Sequence, residues 1–142
     1  MRIIVLGKPF GKARPRSGKF GVYNPKQNKE YEDRVRAAFK QAVGMITEPV
    51  DKPMWLSLEC VYPIPKTTPK RKREMMLAGK LYPMVKPDLD NCIKSVMDAL
   101  NGLAYYDDKQ IVHLRAVKKY GDVPQTIIDI GRYYTHDVDS DR

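Results

Sequence analysis

Carboxylates gather in one part of a chain that is otherwise basic. Within KPDLDNCIKSVMDALNG, Lys86 to Gly102, Asp88 and Asp90 stand close together. Tyr105-Tyr106-Asp107-Asp108 follows closely enough for the chain to turn and bring a further carboxylate back toward them. Clustered carboxylates repel one another unless a cation sits among them. Hard oxygen ligands suit Mg²⁺ or Mn²⁺, and such an ion can activate water and stabilise charge growing on a phosphodiester. The ammonium of Lys94 is placed to neutralise that charge.

Each of these residues also has a simpler explanation. Asp88 and Asp90 open a predicted helix, where free N–H groups and the helix dipole favour carboxylates. Asp90, Lys94 and Asp98 are spaced four apart, which suits an exposed ion-pair ladder worth a few tenths of a kcal/mol per pair. Asp107-Asp108 suits an ordinary turn.

Charge segregation favours the chemical explanation. The net charge is +9, but residues 1 to 87 carry 19 Lys plus Arg against 7 Asp plus Glu, whereas residues 88 to 142 carry 7 against 10. A basic half joined to an acidic cluster predicts one surface that attracts phosphate and one pocket that holds cations. The only cysteines, Cys60 and Cys92, fall in apolar-periodic segments, which argues against a disulfide framework and a zinc site. MRIIVLG is too short for a signal peptide's apolar region, and no run approaches membrane-spanning length, so the cytoplasm is the expected compartment.

The elements that must position these residues follow from periodicity. Arg2 to Leu6 reads as a strand ended by Gly7, and GKPFGKARPRSGKFG reads as a loop. From Asn28 to Val43 the apolar residues Tyr31, Val35, Ala38, Phe39 and Ala42 recur at helical spacing, with Gly44 as a stop. Met54 to Tyr62 alternates as a strand that buries Leu56, Leu58 and Cys60, with Trp55 assigned to the core. Thr68-Pro69 and Gly79 bracket a short basic helix. A helix from Asp88 to Gly102 carries the apolar stripe Leu89, Ile93, Val96 and Leu100. Ile111 to Tyr120 and Thr126 to Tyr133 read as closing strands joined by a turn.

This order predicts an α+β fold with a small mixed or antiparallel sheet and helices packed on one face. It predicts one domain over residues 1–142, with a basic insertion at about 66–86 and a polar tail from about 135. GKPFGK lacks the Walker spacing, which sets aside nucleotide hydrolysis of that type. Lys70, Arg71, Lys72 and Arg73 are candidates for phosphate contact, as are Arg14 and Arg16, with Lys8 and Lys12 in the same loop. One of Tyr105 and Tyr106 could stack on an unpaired base while the other enters the core. His113 and His136 receive no role.

The chain resembles the RusA family of Holliday junction resolvases, the crossover junction endodeoxyribonucleases, and especially its phage and prophage branch. The resemblance rests on Asp88-Leu89-Asp90-Asn91, Lys94, Asp98-Ala99-Leu100 with Gly102, and Asp107-Asp108-Lys109-Gln110-Ile111, together with KARPR at Lys12 to Arg16. It implies that Asp88, Asp90 and Asp108 form a metal-binding acidic triad, that Lys94 is the catalytic lysine and that Asp107 is a second-line acid. It also implies a compact homodimer, Mg²⁺ as cofactor with Mn²⁺ able to substitute, and paired nicking of four-way DNA junctions in recombination and repair near the nucleoid. The insertion from Lys66 to Lys86 departs from shorter members and leaves junction against flap selectivity open. The rivals are a branched-DNA-binding protein that does not cut, and a metal-dependent nuclease acting on flaps or RNA.

Overall fold

A computed structural model describes residues 1–14, 16–19, 21–23, 25–45 and 48–134. The elements are β1 (Arg2–Leu6), β2 (Arg16–Gly18), β3 (Gly21–Tyr23), α1 (Lys26–Val43), β4 (Met54–Pro63), α2 (Lys70–Leu77), α3 (Leu89–Ala99), a single 3₁₀ turn (Asp108–Gln110), β5 (Ile111–Gly121) and β6 (Gln125–Arg132). The expected tail, with His136, lies outside the described residues, as does the side chain of Arg16.

Four strands form one mixed sheet in the order β1-β6-β4-β5. β4 is central: it runs antiparallel to β6 and parallel to β5. The parallel pairing requires a long crossover from β4 back to the start of β5, and α2 and α3 lie within it. β5 and β6 are consecutive strands but not neighbours, because β4 separates them. The turn after Gly121 therefore passes across the end of β4 instead of closing a hairpin. The glycine- and proline-rich stretch read as a loop contains a small hairpin, in which β2 pairs antiparallel with β3.

Alternation along the strands builds one apolar layer. Ile3 and Val5 of β1, Leu56, Leu58 and Cys60 of β4, and Ile128 and Ile130 of β6 are buried together beneath α1 and α3. From α1 come Tyr31, Val35 and Phe39, four residues apart and therefore on one face. Gly44, with φ +79°, ends that helix, and its N–H donates to the Lys40 carbonyl at 3.0 Å. From α3 come Cys92, Val96 and Ala99, with Leu100 just beyond, whereas Leu89 and Ile93 are only partly buried. The core side of α3 is thus rotated toward its small residues. α2 buries only Met76 and stands at the rim near β5.

Trp55 is not in this core. It is half-buried and points, with Ser57 and Glu59, to the face of the sheet opposite α1 and α3. Alternation separates the two faces of β4 and by parity puts the indole with Ser57 and Glu59; only its size points to the core. No helix among the described residues is long and apolar enough to cross a membrane.

Candidate active site

The N-terminal loop and α3 are built against each other. The Asn28 side chain accepts from the Ala13 N–H at 2.9 Å and donates to the Ala13 carbonyl at 2.8 Å, so a buried amide completes the backbone of the loop. The Lys12 N–H donates to the Asn91 carbonyl at 3.1 Å, and the Ser95 hydroxyl donates to the Phe10 carbonyl at 2.9 Å. Phe10 stacks on Tyr31, with ring centroids 5.1 Å apart. Gly11 is needed for close approach, since a Cβ there would come within 2.6 Å of the Pro87 Cβ. The result is an open groove of about 500 Å³ between residues 9–13 and 86–91, with Asp88 on its wall.

Asp88 occupies the N-cap position of α3, yet its side chain makes no capping hydrogen bond. The capping explanation therefore does not account for its carboxylate, which is exposed at the groove. Asp90 and Lys94 are exposed as well, and neither rung of the expected Asp90–Lys94–Asp98 ladder forms among the described residues. Asp98 is taken instead by Lys12, whose ammonium lies 2.5 Å from it and 3.5 Å from Glu32. Burial disfavours the Lys12 ammonium, but Asp98 and then Glu32 outweigh it and raise its pKa. Lys12 is consequently committed inside the fold, not free to track a DNA backbone.

The second acidic segment is clamped by Gln110. Its amide oxygen accepts the N–H groups of Tyr106 and Asp107 at 2.8 and 3.0 Å, while its amide nitrogen donates to the carbonyls of Val50 and Lys52 at 2.7 and 3.0 Å. Tyr105 fixes the same turn to α3. It is fully buried, and its hydroxyl donates to the Met97 carbonyl at 2.6 Å, whereas Tyr106 is exposed. Arg36 of α1 donates to the carbonyls of Ala99 and Asn101 at 3.0 and 3.1 Å, satisfying orphan acceptors where α3 ends. These bonds place Asp108 with its carboxyl within hydrogen-bond reach of Asp107 and in the field of Asp98. Partial burial first, and then these two neighbours, raise its pKa.

The convergence expected of Asp88, Asp90 and Asp108 is not seen. Among the described residues, no three His, Cys, Asp or Glu side chains meet closely enough to hold an ion. The rise of a straight helix explains this: Asp90 and Asp98 are about 12 Å apart along α3, and the turn returns beside Asp98. Asp88 and Asp90 stand where α3 begins, and Asp107 and Asp108 lie together near where it ends. The crowding of Asp108 by Asp107 is the condition a dication relieves, and hard carboxylate oxygens are the right donors for Mg²⁺.

The basic candidates separate into free and engaged residues. Arg14, Lys70, Arg71 and Lys72 are exposed. Arg73 is engaged, donating to the Asp122 carboxylate beyond β5.

A sequence profile described as endodeoxyribonuclease RusA matches residues 7–131. The chain belongs to the RusA endodeoxyribonuclease family. It is also similar to the uncharacterized protein YqaN of Bacillus subtilis (strain 168), with 34% identity over 138 residues covering 92% of this chain and 94% of that protein. Among the RusA motif residues, Gln110 and Lys12 perform structural tasks that spacing did not reveal. Gln110 stands three residues after Asp107, the spacing of a capping box, and that is the local signal for its clamp. Lys12 carried no local signal, because its partner Asp98 lies 86 residues away.

Proposed function

We propose that this RusA-family chain is a Mg²⁺-dependent endonuclease that hydrolyses a phosphodiester in branched DNA, with the four-way junction as its substrate and Mn²⁺ able to replace Mg²⁺. The observation that carries this function is the crowding of Asp107 and Asp108 beside Asp98 in a protein of net charge +9 that belongs to an endodeoxyribonuclease family. Asp88, Asp90 and Asp108 are the proposed ligands, with Asp107 supporting Asp108. Mg²⁺ commonly takes one or two protein carboxylates and completes its shell with water and substrate phosphate, so an ion here does not need every one of these carboxylates at once. When bound, the ion supplies Lewis acidity toward water and a phosphate oxygen.

The remaining roles follow from exposure and charge. Lys94 is exposed and has no acidic partner among the described residues, so its three N–H groups are available to a phosphate oxygen beside Asp90. Arg14, Arg16, Lys70, Arg71 and Lys72 contact the DNA backbone, while Arg73 does so only by leaving Asp122. Paired nicks require two sites, which a homodimer supplies. Val112 and Leu114 of the edge strand β5 are exposed, and Leu89, Ile93 and Met97 of α3 are incompletely covered, as a subunit contact would require. Function in recombination and repair follows from that substrate.

The test compares a synthetic four-way junction with the matched duplex, in Mg²⁺ and in EDTA, for the wild type and Asp90→Asn. Paired nicks in the junction alone, abolished by the substitution with binding retained, are expected. Tight junction binding without cutting under any divalent metal would make the chain a binder and not a nuclease.

A further inference from the structure

We propose that the uncovered face of the sheet holds a separate binding site for single-stranded DNA, in the cavity lined by Trp55, His113, Arg115, Arg132, Tyr133 and Tyr134. The site draws its choice of ligand from the branched-DNA function above, since junctions and forks expose unpaired strands, but it does not depend on cleavage. Its volume, about 480 Å³, lies within the roughly 300–1,000 Å³ of small-ligand pockets.

Strand register shows how the platform is built. Gly131 of β6, Trp55 of β4 and His113 of β5 form one row across the sheet. A Cβ at position 131 would come within 2.9–3.0 Å of three atoms of the indole, so the glycine is what lets the ring lie on the neighbouring strand. His113 stacks on Tyr133 with centroids 5.6 Å apart and planes 16° from parallel. The Arg132 guanidinium sits 5.1 Å from the Tyr134 ring centroid. Aromatic faces beside a guanidinium are the surface on which successive bases stack.

The charges on this face point to an anion from outside. In the next row Arg2, Asp129, Ser57 and Arg115 lie side by side. Asp129 is taken by Arg2 through two bonds of 2.9 and 3.0 Å, and Glu59 in the row beyond is taken by Lys119 at 2.9 Å. Arg115 and Arg132 have no acidic partner among the described residues. Two uncompensated guanidinium groups beside an aromatic platform match a strand that alternates phosphate and base. The first residues of β5 follow directly from the Asp108–Gln110 turn, so a strand held here runs near the end of the sheet that carries the acids.

Trp55 is the only tryptophan of the chain, so its fluorescence reports occupancy directly. The full-length protein is titrated in EDTA with short oligo(dT) and with an abasic strand of equal length. Saturable quenching by oligo(dT) is expected, with weaker binding of the abasic strand. Tyr133→Ala should weaken binding roughly 5- to 150-fold, as expected for a lost stacking contact at 1.4 kcal/mol per decade. Arg115→Ala with Arg132→Ala should reduce the slope of log K against log[salt] by about 1.4, at about 0.7 per phosphate on a single strand. Both are exposed side chains, and an unchanged circular dichroism spectrum shows that the fold is kept. No quenching, or quenching whose midpoint and salt slope ignore both variants, would overturn the site. Junction cutting in Mg²⁺ by a protein that shows no quenching would remove this site and leave the nuclease; quenching without cutting would do the reverse.

Discussion

Replacing Lys12 by Met tests the link between the N-terminal loop and the acidic end of α3. The Lys12 ammonium is 2.5 Å from Asp98 and 3.5 Å from Glu32, and the three side chains are 17, 22 and 24% exposed. An exposed pair contributes about 0.2–1 kcal/mol, whereas breaking a buried pair costs about 3–5. At this partial exposure the expected loss is about 1–3 kcal/mol. Methionine keeps most of the apolar stem, so the loss reports the charge and not a cavity. Because the Lys12 pKa is raised in the folded chain, its stabilisation is fully present below the ordinary value of 10.5 and is lost as pH rises through the higher folded value. The difference between wild type and variant should therefore hold steady at neutral pH and close in strong alkali. Urea titrations of wild type, Lys12→Met, Asp98→Asn and the double variant give the coupling directly. A coupling below about 0.3 kcal/mol would show that the pair does not anchor the loop.

Four further outcomes are expected. Mg²⁺ at ten times its Kd should raise the unfolding free energy by about 1.4 kcal/mol, and Asp108→Asn should reduce that gain; an equal gain in the variant, by calorimetry, would remove Asp108 from the ligands. Gly11→Ala should cost about 1–3 kcal/mol by overpacking, because the new Cβ would meet the Pro87 Cβ at 2.6 Å; an unchanged denaturation midpoint would show that the loop yields freely. Tyr105→Phe should cost about 1–3 kcal/mol by leaving the Met97 carbonyl without its buried donor; amide exchange in α3 that matches wild type would count against that role. Arg2 holds the Asp129 carboxyl below its usual range, through the hydrogen bond first and its charge second, so this pair stabilises above the ordinary value of 3.8 and the benefit fades as pH falls below it. Arg2→Gln should thus narrow the acid side of the stability profile without altering the alkaline side.

What could be read from the sequence was what depends on near neighbours. The four-residue recurrence of Tyr31, Val35 and Phe39, the alternation of Leu56, Leu58 and Cys60, and the brackets Pro69 and Gly79 each describe one element by itself, and those elements are present. Pairing is a property of distant segments. Nothing in Ile111 to Gly121 shows that it lies parallel to β4 while β6 takes β4's other edge, because a strand's own sequence does not name its partner. The site divides in the same way. Asp88, Asp90, Asp107 and Asp108 are recognisable by type and spacing. Asp98 sits equally well in an i,i+4 ladder, and only the folded loop, which brings Lys12 across 86 residues, decides its partner.

That choice of partner has a consequence for the chemistry. With Lys12 on Asp98, Lys94 is left without either rung of the ladder among the described residues and stands exposed on α3 between Asp90 and Asp98. A lysine held by two carboxylates four residues away on either side would meet a phosphate only by breaking those pairs. One left free meets it at no such cost. Asp98→Asn should therefore leave Lys94 as available as before, whereas Lys12→Met frees Asp98 to bond Lys94 at i,i+4 spacing. If Lys94 acts on the phosphate, cleavage by Lys12→Met should fall further than its loss of stability explains, and adding Asp98→Asn should restore part of it. Rescue of cleavage without rescue of stability would separate the two roles of the Lys12–Asp98 pair. Absence of any rescue would show that Lys94 is not held back by Asp98.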